Sequence, residues 1–302
     1  MTLRPQQRLA AGVIVFDDAS EFSLQVDFMT MPSLKTKIQG PIAVIGDLHG
    51  QVSKLQVLLN RLRQLPDYQQ RWIIFIGDFV DRGPDPKTGI DIFLELLKEH
   101  PKTTAIMGNH EFAMCSALGW FPETEGSLWS SRWVEHYDSE TTFDSYGAAI
   151  GNLAELNTMV PAAHRELLVN LPWCVEHPQL LFVHAGLDPN IPFNVQLRIL
   201  QQRDFSLNRP QWLSEKSFVN MDPPSDCPFT LVSGHVKVDD VVIRPRRILV
   251  DTTGGDSGDL SCVLMPERRV LTSGTNEAAT SVTGDAQGKK PAKGSSWWKI
   301  WG

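Results

Sequence analysis

Residues 42–50 read Ile42-Ala43-Val44-Ile45-Gly46-Asp47-Leu48-His49-Gly50, and this run decides the fold. Four consecutive apolar residues ending in Gly-Asp describe a short buried strand that opens into a polar loop. Directly after it, Leu55, Leu58, Leu59, Leu62 and Leu65 recur at intervals of three and four, which makes one apolar helix face, and Pro66 closes it. The unit repeats. Trp72 to Ile76 predicts a second strand, Gly77 to Asp85 its loop, and Pro86 opens a helix striped by Ile90, Phe93, Leu94 and Leu97. Thr103 to Met107 predicts a third strand, ending at Gly108-Asn109-His110-Glu111. Such units in series bring their polar loops to the carboxyl edge of one sheet, where open α/β sheets hold their sites.

Further along, residues 115–160 break the rhythm with Trp120, Trp129, Trp133, Tyr137, Phe143 and Tyr146 among acids. These predict helices that cap or flank the site, their aromatics forming a small satellite core rather than a substrate rim. Apolar runs return at Trp173 to Val175, Leu180 to Val183, Phe229 to Val232, Val241 to Ile243, Ile248 to Val250 and Leu260 to Met265. Their turn-separated spacing predicts a second sheet, mostly antiparallel. Residues 1–40 read as an N-terminal arm, and 41–272 as one domain. After about Ser273 periodicity disappears into a disordered tail ending in Trp297-Trp298-Lys299-Ile300-Trp301, a cluster suited to docking on a partner or surface.

Composition narrows the function classes. With 302 residues, 42% hydrophobic and 21% charged, the chain can bury one large core. A net charge of −7 argues against a nucleic-acid partner, because backbone phosphates want clustered Lys and Arg. Cys115, Cys174, Cys227 and Cys262 form no C-x-x-C pair, so the expectation is four buried thiols in a reducing, cytoplasmic compartment. The apolar run near the N-terminus is too short for a membrane span.

The chemistry lies in five short runs: Gly46 to Gly50, Gly77 to Gly83, Gly108 to Glu111, His184-Ala185-Gly186 and Gly234-His235. Asp47 and His49, two apart on an extended chain, point to one side and can grip one ion. Asp78 can place a carboxylate between two ions, while Asn109, His184 and His235 offer a carbonyl oxygen and two imidazoles to the second. Oxygen and nitrogen donors without thiolate suit two divalent ions, Mn first, with Fe or Zn as alternatives. Two such ions and Arg82 outweigh the charges of Asp47, Asp78 and Asp81, so the site draws anions. His110, beside Asn109 but facing the other way, is the general-acid candidate, and Asp81 its orienting carboxylate. Arg82 offers a bidentate fork to a phosphoryl group. Glu111 is left to brace the loop or the Arg82 side by hydrogen bonding. Singly, each run is more often a plain turn, a core histidine or a surface ion pair. All five in one order, each at a strand end, outweigh that reading.

The set G-D-x-H-G, G-D-x-V-D-R-G, G-N-H-E, H-A-G and a later G-H resembles the phosphoprotein phosphatase family of calcineurin-like metallophosphoesterases, bacterial Ser/Thr phosphatase type. Trp133 to Gly147 and Val250 to Gly255 are similar to two further segments of the bacterial enzymes. The resemblance implies an α/β (α+β) sandwich of two mixed sheets flanked by helices. It implies Asp47, His49 and Asp78 on one metal, and Asp78, Asn109, His184 and His235 on the other. It also implies a second phosphate-binding arginine. Arg203, in Gln202-Arg203-Asp204, resembles the bacterial I-R-D, with Arg198 and Arg209 as alternatives. Gly234-His235-Val236-Lys237 departs from the usual G-H-T-P.

The expected function is therefore a dinuclear metal-dependent phosphatase acting on a phosphoprotein or phosphopeptide, on phosphoserine or phosphothreonine, by in-line attack of metal-bridging hydroxide. A bis(nucleosyl)-tetraphosphatase is the alternative enzyme. A non-catalytic phosphoprotein-binding module is the alternative of another class.

Overall fold

A computed structural model describes residues 33–207 and 209–274. Residues 1–32 of the N-terminal arm and the aromatic C-terminal cluster lie outside the described residues. The first half follows the predicted rhythm: β1 Ile42–Ile45, α1 Val52–Arg63, β2 Trp72–Phe75, α2 Pro86–Glu99, β3 Thr103–Ala105 and α3 Asn109–Ala117. Asp85 caps α2 through a 3.0 Å bond from the Thr88 N–H, with Pro86 in the first turn where its missing N–H costs nothing. Helices α4 Trp129–His136, α5 Glu140–Tyr146, α6 Leu153–Met159 and α7 Ala162–Asn170 come next. Then follow β4 Cys174–Glu176, β5 Leu180–Val183, α8 Phe193–Gln202, α9 Gln211–Ser214, β6 Thr230–Ser233, β7 Val242–Ile243, β8 Arg247–Leu249, β9 Ser261–Met265 and β10 Arg269–Thr272.

Two five-stranded mixed sheets result, ordered β10-β9-β1-β2-β3 and β4-β5-β6-β8-β7. Period-2 alternation explains why β1 is apolar throughout: Ile42 and Val44 join one buried cluster with Val175, Phe182, Val232 and Ile248 of the other sheet, while Ala43 and Ile45 join another with Leu55, Leu58, Leu59 and Leu62 of α1. Each buried leucine contributes about 2 kcal/mol of apolar transfer. The cap aromatics Trp120, Trp129, Trp133, Tyr137, Phe143 and Tyr146 belong to this second, larger cluster, so they extend the main core rather than form a satellite one.

Two expectations for the second half are corrected. The second sheet is not mostly antiparallel: β5-β6 and β6-β8 pair parallel, and only β4-β5 and β7-β8 antiparallel. Parallel neighbours need a long crossover, and residues 184–229, carrying α8 and α9, supply one. The run Leu260 to Met265 does not join that sheet. As β9 it returns antiparallel to β1.

The topology positions the site. Strands β1, β2 and β3 run parallel in one sheet and β5, β6 and β8 in the other. Each therefore releases its chain at the same end of its own sheet, within four residues of Asp47, Asp78, Asn109, His184, His235 and Asp251 respectively.

Candidate functional site

Asp47, His49, Asp78, Asp81, Asn109, His110, Glu111 and His184 are each less than a tenth exposed. Several sit on a backbone that L-residues avoid: His49, Asp78, Asp81, Arg82 and His235 all have left-handed φ, between 42° and 70°. Such residues cost of order 1 kcal/mol each and persist where surrounding bonds over-determine them. Glu111 supplies much of that restraint. Its carboxylate accepts from the N–H groups of Asp78 (2.8 Å), Phe79 (2.6 Å), Val80 (3.1 Å) and Gly108 (3.0 Å). It thereby braces the loop after β2 against the start of α3. A side chain at Gly108 would strike the Asp78 carboxylate, and one at Gly234 that of Asp47, which accounts for both glycines.

The imidazoles are held in one tautomer each. His49 Nδ1 meets Val80 O at 2.7 Å and His184 Nδ1 meets Ile76 O at 2.8 Å, and a carbonyl can only accept. With Nδ1–H so used, each neutral ring presents an Nε2 lone pair that only a proton or a cation can satisfy. His49 Nε2 lies 3.4 Å from Asp78 Oδ2. His184 Nε2 lies 3.2 Å from the same oxygen and 3.1 Å from Asn109 Oδ1. His235 Nδ1 is 2.8 Å from Asn109 Oδ1. Asp47 Oδ1, His49 Nε2 and His235 Nε2 are buried with no hydrogen-bond partner. Acceptors converging on acceptors are repulsive unless positive charge lies between them, so this donor set fits divalent cations. Two groupings have ligand atoms within 4.8 Å of one another: His49, Asp78 and His110, and Asp78, His184 and His235.

The electrostatics carry the same demand for positive charge. Burial opposes protonation of His49 and His184, yet the hydrogen bond and charge of Asp78 push them up to about 9 and about 10. Burial also opposes charge on Asp78, but the imidazoles of His184 and His110 hold it well below the usual carboxylate range. Asp47 moves the other way, raised by burial and by the neighbouring Asp251 carboxylate.

His110 lies edge-on to His49, ring centroids 4.6 Å apart, and its Nδ1 is 2.7 Å from Asp81 Oδ2. Trp133 Nε1 donates to that same oxygen at 2.9 Å, and Thr142 Oγ1 donates to Asp81 Oδ1 at 2.6 Å. Burial pushes the Asp81 carboxyl up to about 7 against those two bonds, and burial drives His110 well below its ordinary value. One proton shared across the 2.7 Å contact satisfies both. Arg82 donates through Nη1 to Gly254 O at 3.0 Å, and its Nε lies 3.7 Å from Asp138.

Arg203 is not brought to this cluster. It ends α8 in the left-handed conformation (φ 52°), donates to Val169 O at 2.8 Å and lies over the rings of Phe121 and Phe205, 5.5 Å from each. Arg198 is exposed on α8. Arg209 is exposed, donates to Ser214 O at 3.1 Å, and its charge acts on the Tyr137 hydroxyl, whose ring stands 4.9 Å edge-on from His110. Sequence reasoning missed Trp133, Thr142 and Tyr137 as neighbours of the site, and Asp251 too. The signals for Asp251 were its place at a strand end, followed by Thr-Thr-Gly-Gly, and the similarity of Val250 to Gly255 to a bacterial segment. The N–H groups of Thr253 and Gly254 bond to it at 3.1 and 2.8 Å.

A family model described as calcineurin-like phosphoesterase matches residues 40–259. The chain belongs to this family of metallophosphoesterases. It is 28% identical over 167 residues to the serine/threonine-protein phosphatase SIT4 of Candida albicans, covering 55% of this chain and 45% of that one. It is 38% identical over 88 residues to serine/threonine-protein phosphatase 2 of Escherichia coli, covering 29% and 36%. The chain thus spans less than half the length of these curated relatives. Among solved structures, a candidate diadenosine tetraphosphatase superposes with TM-score 0.52 at 18% identity, covering 79% of this chain and 97% of that one. The cold-active protein-tyrosine phosphatase of a psychrophilic Shewanella superposes at 0.50 with 15% identity, covering 80% and 81%. These two likenesses concern the fold.

Proposed function

We propose that the chain is a dinuclear metal-dependent phosphomonoesterase acting on phosphoserine and phosphothreonine in proteins. The observation that carries this reading is the convergence of His49 Nε2 and His184 Nε2 on Asp78 Oδ2, with a hydrogen-bonded His110–Asp81 pair beside them. Asp47, His49 and Asp78 would hold one ion, and Asp78, Asn109, His184 and His235 the other. When bound, the two ions supply Lewis acidity for water activation and phosphoryl polarisation. The mixed oxygen and nitrogen donors favour Mn, with Fe or Zn as alternatives.

This chain's own residues do the remainder. His110 stands next to a ligand and delivers the proton to the departing oxygen, and Asp81 holds the ring through Nδ1. Trp133 and Thr142 fix both Asp81 oxygens, so the imidazole has one orientation. Arg82 is pre-aimed by Gly254 O and grips the phosphoryl oxygens, with Arg209 as the second guanidinium in place of Arg203. The catalytic domain spans 41–272, with 115–160 as its cap.

Protein substrates are supported by the Ser/Thr phosphatase relatives. A diadenosine tetraphosphatase would want an open aromatic face for its bases. Trp129 and Tyr137, the aromatic rings beyond His110, are instead 4% and 7% exposed. A silent phosphoprotein-binding module would have lost a ligand or the acid, and none of these residues is missing from the sequence. Four free, buried cysteines favour a reducing compartment, the cytoplasm in our reading, and no helix among the described residues is long and apolar enough to cross a membrane. The test is direct. Protein stripped of metal and resupplied with Mn should hydrolyse an aryl phosphate and a phosphoserine peptide, and inactivity with each of Mn, Fe, Co, Ni and Zn would overturn the reading.

A further inference from the structure

A line of side chains leads outward from His110. The Tyr137 ring stands 4.9 Å from His110, the Trp129 ring 6.1 Å from Tyr137, and the Arg132 Cζ lies 5.5 Å over the Trp129 ring. The two aromatics are buried and Arg132 is exposed, so the rings form a fixed ledge that carries a guanidinium at its outer edge. The Tyr137 hydroxyl lies within reach of Arg132 and of Asn109, which ties that edge to the cluster.

Arg132 is a surplus cation. Among the described residues it forms no salt bridge, whereas Arg82 pairs with Asp138. The nearest acid along its own helix, Glu135, pairs with His136 at 3.9 Å. In the reading proposed above, Arg82 and Arg209 are the two guanidiniums assigned to the phosphoryl group. Because His110 delivers its proton to the departing oxygen, whatever follows that oxygen in the substrate runs out along the His110 side, over this ledge. Outside the cluster the chain carries net negative charge, so an arginine without a salt bridge on this ledge has a selective effect.

We propose that Arg132 is a specificity-determining residue that receives a second anionic group on the leaving-group side of the scissile phosphoryl. This rests on the phosphatase reading above and narrows its substrate class. The anion is a carboxylate beside the phosphorylated residue of a peptide, or a further phosphate if the leaving group is a nucleotide.

Phosphoserine peptides carrying Glu, Gln or Lys next to the phosphorylated residue, and diadenosine tetraphosphate, are assayed with wild type, Arg132→Gln and Arg132→Glu. Each kcat/KM is divided by the same variant's value on p-nitrophenyl phosphate. In wild type the Glu peptide should lead the Gln peptide by about 3-fold, as a single exposed charge pair gives, and the lead should shrink as salt rises. Arg132→Gln should abolish the lead, and Arg132→Glu should reverse it in favour of the Lys peptide. A lead that appears only for diadenosine tetraphosphate, and is lost in Arg132→Glu, assigns the anion as phosphate. Unchanged ratios in an active Arg132→Glu enzyme overturn the subsite alone. Absence of aryl phosphate hydrolysis in wild type with every metal overturns the phosphatase reading beneath it.

Discussion

Glu111 and Asp78 lie 33 positions apart, yet Glu111 Oε2 accepts the Asp78 N–H at 2.8 Å while the same carboxylate holds the start of its own helix through Gly108. One side chain thus sets the distance between two loops that both contribute to the cluster. Glu111→Gln turns one acceptor oxygen into a donor facing two N–H groups. Leaving buried donors unpaired costs about 3 kcal/mol in total. Urea denaturation should report that loss, and metal stoichiometry by elemental analysis should fall below two.

His110→Asn removes the proton donor and leaves the metal-binding donors in place. Turnover of an alkyl phosphate, which needs protonation on departure, should fall by about 10²-fold or more, and that of p-nitrophenyl phosphate by much less. Equal losses on both would remove His110 from the proton-donor role.

Trp133→Phe keeps the ring in the core and deletes only the 2.9 Å bond to Asp81 Oδ2. A hydrogen bond to a charged acceptor is worth about 1.5–3 kcal/mol, so kcat on poor leaving groups should drop by about 10-fold or more, with KM nearly unchanged. A uniform drop across leaving groups would mark Trp133 as packing alone.

Metal binding should stabilise the fold, because the orphaned acceptors of Asp47, His49 and His235 gain a partner only in the folded chain. At a free Mn concentration 100 times its Kd the stabilisation is about 2.7 kcal/mol. Scanning calorimetry should show Tm rising with added Mn and falling on chelation. The same titration on Asp78→Asn should show little shift.

Away from the site, His164 is buried between Tyr146 and Asp91, its ring nitrogens 2.8 Å from the Tyr146 hydroxyl and from Asp91 Oδ1. Burial, against the pull of Asp91, holds its pKa below 6.5. The unfolded chain therefore binds this proton first. The associated stability is complete above about pH 6.5 and is lost as pH falls through the window below, at no more than about 1.4 kcal/mol per pH unit. Urea midpoints at pH 7.5 and 5.5 should diverge more in wild type than in His164→Gln.

The first sheet and its three loops were legible because β1 and β2 are apolar on both faces, β3 runs into the apolar Ala105 to Met107, and each is followed by Gly and then Asp or Asn where the chain must turn. The direction of β6 and β8 was not, since an apolar run carries no arrow and only the length of the preceding connection hints at it. The ligand candidates were legible as types at strand ends. Their supports were less so: Trp133 and Thr142 lie 52 and 61 positions from Asp81, and nothing local in either stretch announces those bonds. Elimination leaves Glu111 a bracing role, and of its four N–H partners three lie in the Asp78 loop and the fourth is Gly108, with none from Arg82. Arg203 ends α8 in the left-handed conformation and bonds to Val169 O, a local backbone choice that the flanking sequence does not dictate.

Arg132 and Trp133 are consecutive on α4, about 100° apart around its axis, so one faces solvent while the other is sealed against Asp81. Selectivity and proton delivery thus occupy adjacent letters of the sequence with no shared space. A lineage, or a designer, can redraw which substrates are welcome by exchanging the outward residue while the inward one keeps the acid in register, and a library built at position 132 should yield altered preferences far more often than dead enzymes.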